Sequence, residues 1–193
     1  MTAAFGDVAG DFVLDAAAPR STLDATVAGM WNLGETDARA DLRLAGQRLP
    51  QFPMQVADLD AAGISGVIGA DALAGFVTEI RTAPCRVTLS RRVGQPWPIR
   101  LPLRVIGGAF AVPAAVSDGV TSRSGWFAVA TGAPGVMVTD AKLTRAPPNP
   151  ADPNCPPARM RALSLGGGLL YENTPAAVDA AAPPGLAGAI GEE

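Results

Sequence analysis

The sequence contains two copies of one pattern, and this internal repeat restricts the fold more than any other feature. An apolar strand followed by a turn of small residues occurs at 12–19 (FVLDAAAP) and, without a gap, at 127–134 (FAVATGAP). Two further matches follow in the same order, 42–46 with 163–167 and 66–69 with 188–191. From 15 to 69 is 54 residues and from 130 to 191 is 61, a difference that one loop can absorb. The repeat therefore predicts an internal duplication and two lobes of similar structure.

The composition indicates that both lobes are built from strands. With 48% hydrophobic and 17% charged residues, the chain is apolar enough to bury a core. Its 22 glycines and 18 prolines interrupt the sequence every few residues, which favours short strands and turns over long helices. We expect an all-β, β-rich fold with an N-terminal lobe at 1–92 and a C-terminal lobe at 93–193. The boundary falls in a polar, proline-containing linker at 91–98 (RRVGQPWP).

Local patterns give a coarse assignment of elements within each lobe. In the first lobe, the only helix expected is a short one at 70–76, followed by closing strands at 77–80 and 86–89. In the second, strand character at 100–116 is interrupted by a turn at 107–108, and 146–158, with six prolines, reads as an exposed loop. The strands at 100–116 have no expected counterpart before Phe12, and the second lobe stops two residues after Gly191. Both ends are therefore expected to be truncated.

The chain contains no histidine, and this excludes several kinds of chemistry. Histidine metal ligands, Ser-His and Cys-His nucleophilic pairs and imidazole proton shuttles are all ruled out. Carboxylates, Tyr171, lysine and the two cysteines remain as acid-base candidates. Cys85 and Cys155 lack the paired spacing of a zinc or redox site, so a disulfide and two unpaired thiols both stay open. We expect neither a metal nor a cofactor.

Charge and hydropathy restrict the partners. A net charge of −3, with 15 thinly spread basic residues, gives no basic face for nucleic acid. No window approaches the roughly 18 apolar residues that span a bilayer, and the first residues lack the pattern of a signal peptide. We therefore expect neither a nucleic-acid partner nor a membrane span.

The repeated pattern resembles a known peptidase signature. An apolar strand ending in Asp-Thr/Ser-Gly, followed later by an apolar pair and glycine before a short helix, is typical of retropepsin-like aspartic peptidases. This sequence is similar to it twice, through FVLDAAAPRST with GISGVIGADALAGF and through GWFAVATGAPGVMVT with GLAGAIGEE. The first lobe resembles single-chain, two-lobed bacterial members along most of its length. The resemblance implies a retropepsin/pepsin-like acid-protease barrel fold, peptide-bond hydrolysis and a periplasmic or extracellular location.

The resemblance also implies which residues would carry the chemistry. Two aspartates, one from each lobe, share a proton, and their mutual repulsion separates their pKa values into acid and base roles. Asp15 occupies the first position, but Ala16 and Ala17 replace the Thr/Ser and Gly that should follow it. In the second lobe Ala130 occupies the acid position, and Thr131 and Gly132 are retained. Hydrolysis is therefore expected to be impaired. Without the resemblance, Asp15 is an ordinary turn aspartate at a strand end.

Neighbouring positions carry secondary expectations. By resemblance, Thr131 would hydrogen-bond to the opposite turn, which Ala16 cannot reciprocate, and Ala17 would be strained if its position required a positive φ. Trp31 and Met54 are interpreted as packing residues or as part of a peptide groove. The remaining acids are expected to be surface, loop or helix-start charges: Asp58, Asp60, Asp71, Asp140, Glu192 and Glu193.

Three functions remain open at this point. The first is an aspartic-peptidase homologue with a peptide-binding cleft and impaired hydrolysis. The second is a non-catalytic module that holds an extended peptide by strand addition in the same cleft. The third is a peptidase active only as a homodimer, in which Asp15 residues from two chains form the catalytic pair. All three take a peptide or protein as partner.

Overall fold

Short apolar segments between glycine and proline turns form strands throughout the chain. A computed structural model describes residues 1–82, 84–92, 94, 97–143, 158–178 and 183–192. The chain divides into two units, Met1–Pro96 and Trp97–Glu193, and each contains one β-barrel. In the part described, no helix has the length and apolar content required to cross a membrane. The predicted loop at 146–158 and Cys155 lie outside the described residues, apart from Ala158.

Six strands of the first unit form a closed barrel. They are β1 (Thr2–Phe5), β2 (Val8–Leu14), β3 (Thr22–Asp24), β4 (Asp37–Leu44), β5 (Gln47–Ala57) and β6 (Gly66–Ile68). Their order around the barrel is β1-β2-β6-β3-β5-β4, and pairing of β1 with β4 closes it. Helix α1 (Ala25–Met30) connects β3 to β4, and α2 (Ala70–Leu73) follows β6. Strands β7 (Val77–Thr82) and β8 (Cys85–Ser90) form a separate antiparallel pair.

The strands predicted at 77–80 and 86–89 and the short helix after Gly69 are present, although α2 ends at Leu73 and β7 and β8 pair separately instead of closing the barrel. The expectation of a single helix in this lobe was wrong, because α1 is also present. Asp24 caps α1 by accepting hydrogen bonds from the N–H groups of Thr26 and Val27, at 2.9 and 3.3 Å. Such a short helix shows no clear apolar periodicity, so only its cap residue marks it in the sequence.

Seven strands of the second unit form one sheet. They are β9 (Arg104–Ile106), β10 (Ala109–Ser117), β11 (Ser122–Pro134), β12 (Val136–Val138), β13 (Arg159–Leu165), β14 (Leu169–Val178) and β15 (Gly188–Glu192). Their order is β11-β15-β12-β14-β13-β10-β9, and an additional pairing of β10 with β11 closes six of them into a ring. Strand β9 lies outside this ring at the edge of the sheet. Short 3₁₀ turns occur at Ala141–Leu143 and Gly166–Gly168.

The two rings have the same topology, which confirms the predicted duplication. Replacing β1 to β6 by β10 to β15 in the first strand order reproduces the second. The registers also agree, since Phe12 lies opposite Gly66 in the parallel pair β2–β6 and Phe127 lies opposite Gly188 in β11–β15. The match of 42–46 with 163–167 holds as well, because Leu42 lies opposite β1 and Leu163 opposite β10.

One expectation about the repeat was wrong. The strands at 100–116 do have a counterpart before Phe12, since β1 pairs with β2 as β10 pairs with β11. Strand β1 has only four residues, TAAF, and three of them are small or polar, which gives a weak strand signal. Only β9 lacks an equivalent among the described strands of the first barrel.

Each barrel is filled by the residues that the repeat aligns. Phe12 and Phe127 are fully buried, and each contributes about 1.5–3 kcal/mol by burial. The glycine opposite each phenylalanine leaves room for its ring. A Cβ at Gly66 would lie 2.5 Å from the Thr22 carbonyl oxygen and 2.6 Å from Cε1 of Phe12. A Cβ at Gly188 would overlap the Met137 carbonyl oxygen and contact the ring of Phe127. These glycines are therefore a steric requirement of the barrel.

Candidate functional site

Asp15 directly follows β2, in a tight turn. Its backbone N–H donates to the Ile68 carbonyl at 2.9 Å, and its own carbonyl accepts from the Ala18 N–H at 3.1 Å. The Ala17 N–H donates to Oδ1 of Asp15 at 3.0 Å, which fixes the carboxylate relative to its own turn. Asp15 is partly exposed, whereas Ala16 is buried. The turn therefore holds a carboxylate in a defined position that solvent can reach.

The residues that follow β6 pack against the backbone of the Asp15 turn. Ala70 donates its N–H to the Ala18 carbonyl at 2.8 Å. A Cβ at Gly69 would lie 2.6 Å from the Arg20 carbonyl carbon and 2.7 Å from the Ala18 carbonyl oxygen. Glycine at this position is thus required by close backbone approach, and its φ of −94° is not left-handed. The Gly66–Gly69 segment therefore packs directly against the Asp15 turn.

A polar pair, buried Ser21 and exposed Asp71, joins the end of the same turn to the chain after β6. Ser21 is fully buried, and its N–H donates to both carboxylate oxygens of Asp71 at 2.9 and 3.0 Å. Its hydroxyl donates to Oδ1 of Asp71 at 2.7 Å and accepts from the Gly69 N–H at 3.0 Å. Asp71 also accepts from the Ala72 N–H at 2.8 Å at the start of α2. These bonds join the end of the Asp15 turn to the beginning of the helix.

Sequence reasoning missed this pair. Asp71 was expected to be only a helix-start charge, and it does begin α2, but it also binds a residue 50 positions earlier in the sequence. The available signal was a serine at the start of an apolar strand whose equivalent in the other copy, Val136, is apolar. Nothing in the local sequence relates that serine to Asp71.

The equivalent turn in the second unit contains no carboxylate. Ala130 is 1% exposed and lies opposite Gly191 in the parallel pair β11–β15. A Cβ at Gly191 would overlap the Ala133 carbonyl oxygen, as one at Gly69 would meet that of Ala18. Val136 is buried at the position equivalent to Ser21. The second barrel therefore keeps the packing of the turn without the acid and without the polar pair.

The backbone in both turns is free of the strain considered above. Neither Ala17 nor Gly132 has a positive φ, so the condition under which Ala17 would be strained is not met. Ala17 and Thr131 are partly exposed, and Gly132 is exposed. The supporting roles predicted for Ala16, Ala17, Thr131 and Gly132 remain predictions.

Trp31 and Met54, the candidate cleft residues, differ sharply in exposure. Trp31 is the C-cap of α1 and is 52% exposed, whereas Met54 lies in β5 and is 1% exposed. Their role in binding a peptide remains a prediction. Of the two side chains, Trp31 exposes the larger surface to a ligand. Of the other acids, Asp140 accepts from the Lys142 N–H at 3.0 Å, and Asp58 and Asp60 are exposed. Cys85 is exposed at the start of β8.

An acidic cleft of about 530 Å³ lies beside α1, lined in part by Asp24, Asp58 and Asp60. Burial alone would raise the pKa of Asp24, but the backbone N–H groups of Leu59, Val27 and Thr26 hold this pKa below its ordinary value. The carboxylate of Asp24 is thus occupied by structural hydrogen bonds. Within the described ranges, no group of three or more His, Cys, Asp or Glu is placed to hold a metal ion.

Comparison with solved structures gives a weak likeness. No family model matches the sequence, and no curated protein matches it. Among solved structures, the chain is similar to the retroviral protease-like domain of Ddi1 from Leishmania major. Identity is 20%, the match covers 47% of this chain and 84% of that chain, and the TM-score is 0.35. This TM-score is too low to establish a shared fold.

The class of fold follows from the barrels themselves. Two six-stranded rings repeat one strand order, and each places a small-residue turn against an apolar-glycine strand. The chain has the all-β fold of two barrels that the sequence predicts, built from an internal duplication.

Proposed function

We propose that this chain is an aspartic-peptidase homologue of the single-chain, two-lobed bacterial type, with a degenerate catalytic motif and impaired hydrolysis. One observation carries the proposal: Asp15 and Ala130 occupy equivalent positions in two barrels of identical strand order. Ala130 lies opposite Gly191, and Asp15 takes the equivalent position before Gly69, where its N–H bonds to the Ile68 carbonyl. The chain thus carries the acid in one copy of the turn and alanine in the other.

The expected loss of activity follows from what each acid does. Hydrolysis in this class of enzyme needs one carboxylate to take a proton from water and a second acid to protonate the scissile carbonyl. Asp15 can supply the first role, and alanine at position 130 can supply neither. Loss of one of two cooperating groups typically lowers the rate by orders of magnitude. The wild-type chain should therefore show little turnover.

A non-catalytic peptide-binding module is the second candidate. It is favoured by the second turn, which keeps its close backbone packing at Gly191 although Ala130 has no side chain that reacts. A barrel that retains its form without its acid can still contribute to binding. A third candidate is a homodimer that pairs Asp15 from two chains, since each chain supplies one such carboxylate.

Restoring the missing acid is the most direct test. Cleavage of unstructured peptides at acidic pH would be followed by mass spectrometry for the wild type, Asp15→Asn, Ala130→Asp and Ala130→Asp combined with Ala16→Thr and Ala17→Gly. We expect little turnover by the wild type and much higher turnover by the restored variants, lost again when Asp15→Asn is added. Asp140→Asn is the matched control for Asp15→Asn, because it removes a turn carboxylate that has no proposed catalytic role.

The alternatives give different results in the same assay. Wild-type turnover that depends on Asp15 and rises with the square of protein concentration would support the homodimer. Saturable binding of an extended peptide without turnover, weakened by Trp31→Ala, would support the binding module. If no restored variant cleaves, the proposal that alanine at position 130 accounts for impaired hydrolysis is wrong.

A further inference from the structure

Positive charge is concentrated in the β7–β8 hairpin and the turn that follows it, so the basic residues are less evenly spread than expected above. The segment from Val77 to Arg92 contains four arginines, at 81, 86, 91 and 92, and one acid, Glu79. Its net charge is +3 in a chain whose total is −3, so the rest of the chain carries −6. The hairpin is therefore a cationic element on an otherwise acidic protein.

The arginines lie at the two ends of the hairpin. Arg81 and Arg86 lie directly opposite each other across the antiparallel pair and are both exposed. Because side chains alternate along a strand, they share the outer face with Glu79 and Thr88. The other face carries Ile80, Val87 and Leu89, and Leu89 is buried. Arg91 and Arg92 follow β8, and hydrogen bonds between Ser90 and Arg92 fix that bend.

Among the described residues, most of this charge has no counterion. Arg81 forms an ion pair with Glu79 at 2.7 Å. In the described residues, Arg86 and Arg92 form no ion pair, and Arg91 lies over the Phe76 ring, 5.6 Å from its centroid. Two like charges directly opposite each other on neighbouring strands destabilise the pairing. Glu79 offsets the charge of Arg81, so Arg86 and Arg92 carry the charges that an anionic ligand would neutralise.

We propose that the outer face of the β7–β8 hairpin binds an extended, acidic peptide segment. Four residues separate Arg86 from Ser90 at the end of β8, which corresponds to about 13 Å along the strand, and Arg91 and Arg92 follow directly in the bend. An extended peptide with acidic side chains at both ends of a spacer of about four residues would reach both groups of arginines. Charge complementarity selects this partner, because pairing with a second copy of the hairpin would bring arginine against arginine.

Nucleic acid fits the same face less well. Binding of single strands relies on aromatic side chains that stack on the bases as well as on cations. The described outer-face positions of the hairpin are Val77, Glu79, Arg81, Arg86, Thr88 and Ser90, none of which is aromatic. The surface therefore provides charge without a stacking platform.

The test measures fluorescence anisotropy of a labelled peptide with paired glutamates at both ends of a Ser/Thr spacer. Controls are the same peptide with glutamines and one with all glutamates adjacent. We expect saturable binding of the first peptide, and about tenfold weaker binding to Arg86→Gln/Arg92→Gln. The matched control Arg43→Gln/Arg123→Gln removes two exposed arginines from β4 and β11 and should change the affinity by less than about twofold. Asp15→Asn should bind like the wild type, which separates this surface from the proposed peptidase site.

Several results would overturn the proposal. Equal weakening by both double variants, or equal binding of the adjacent-glutamate peptide, would mean non-specific attraction. Binding of a single-stranded oligonucleotide, with none of the acidic peptide, would assign the surface to nucleic acid. Aggregation of Arg86→Gln/Arg92→Gln with peptide binding unchanged would mean that the arginines only protect a sheet edge from self-association.

Discussion

Replacement of Ser21 by valine tests whether the Ser21–Asp71 pair holds the Asp15 turn. The second barrel has valine, Val136, at the equivalent position, and this side chain is 1% exposed. We therefore expect the first barrel to accept valine at position 21 without overpacking. The substitution Ser21→Val therefore removes hydrogen bonds and largely leaves packing unchanged. The buried Gly69 N–H loses its acceptor, and Asp71 loses a hydroxyl donor at 2.7 Å.

The expected cost follows from those two bonds. A buried N–H left without a partner costs about 1–3 kcal/mol, and a hydrogen bond to a charged group contributes about 1.5–3 kcal/mol. Because Asp71 is exposed and keeps its backbone bond from Ser21, its share is small, and we expect a loss of about 1–3 kcal/mol, most of it from the buried Gly69 N–H. This is a large share of the stability of a typical domain, which is about 5–15 kcal/mol.

Two measurements check this expectation. Denaturant unfolding followed by fluorescence gives the free-energy change, and native-state hydrogen exchange reports protection of the Gly69 and Ala70 amides separately. Ser21→Thr retains the hydroxyl and should recover most of the stability. Loss of less than about 1 kcal/mol on Ser21→Val, with Gly69 protection unchanged, would refute the reasoning.

Two other perturbations follow from the same structure. Gly66→Ala should destabilise the first barrel by several kcal/mol in thermal unfolding, because its Cβ would meet backbone and ring atoms within 2.6 Å. Gly29→Ala, in α1 with no atom within 4 Å of the new Cβ, should instead stabilise by about 0.5–1 kcal/mol. The pKa of Asp24 is lowered in the folded state, so its contribution to stability is present above the unfolded pKa and is lost as pH falls through the folded one. Asp24→Asn should therefore reduce the loss of unfolding free energy at acidic pH. An unchanged loss would contradict the lowered pKa of Asp24.

The fold could be predicted from sequence because duplication presents each constraint twice. Phe12 and Gly66 recur in the second copy as Phe127 and Gly188. A chance resemblance of short apolar segments would not repeat both residues in the same order. Strand β1 escaped prediction because TAAF carries little β-propensity and is fixed by its pairing with β2 and β4. Helix α1 escaped for a similar reason, since six residues give no measurable periodicity.

The site was predictable only in part. The position of Asp15 follows from a local pattern, an apolar strand running into small residues. The Ser21–Asp71 pair depends on a contact between residues 50 positions apart, and no local pattern encodes it. The exposure of Trp31 and the burial of Met54 likewise depend on how α1 and β5 lie in the barrel.

The burial of Ala130 determines how the restored acid should behave. At 1% exposure, an aspartate at this position would lose most of its hydration, and desolvation raises the pKa of a carboxyl group. The Ala130→Asp side chain should therefore favour the protonated form, which is the state required of the acid partner. Burial also makes the substitution costly, so Ala130→Asn is the appropriate control, being similar in size but unable to donate a carboxyl proton. If Ala130→Asp and Ala130→Asn are both unfolded, the barrel around position 130 no longer has room for a carboxyl side chain. If both fold and only the aspartate variant cleaves peptide, alanine at position 130 is the direct cause of impaired hydrolysis.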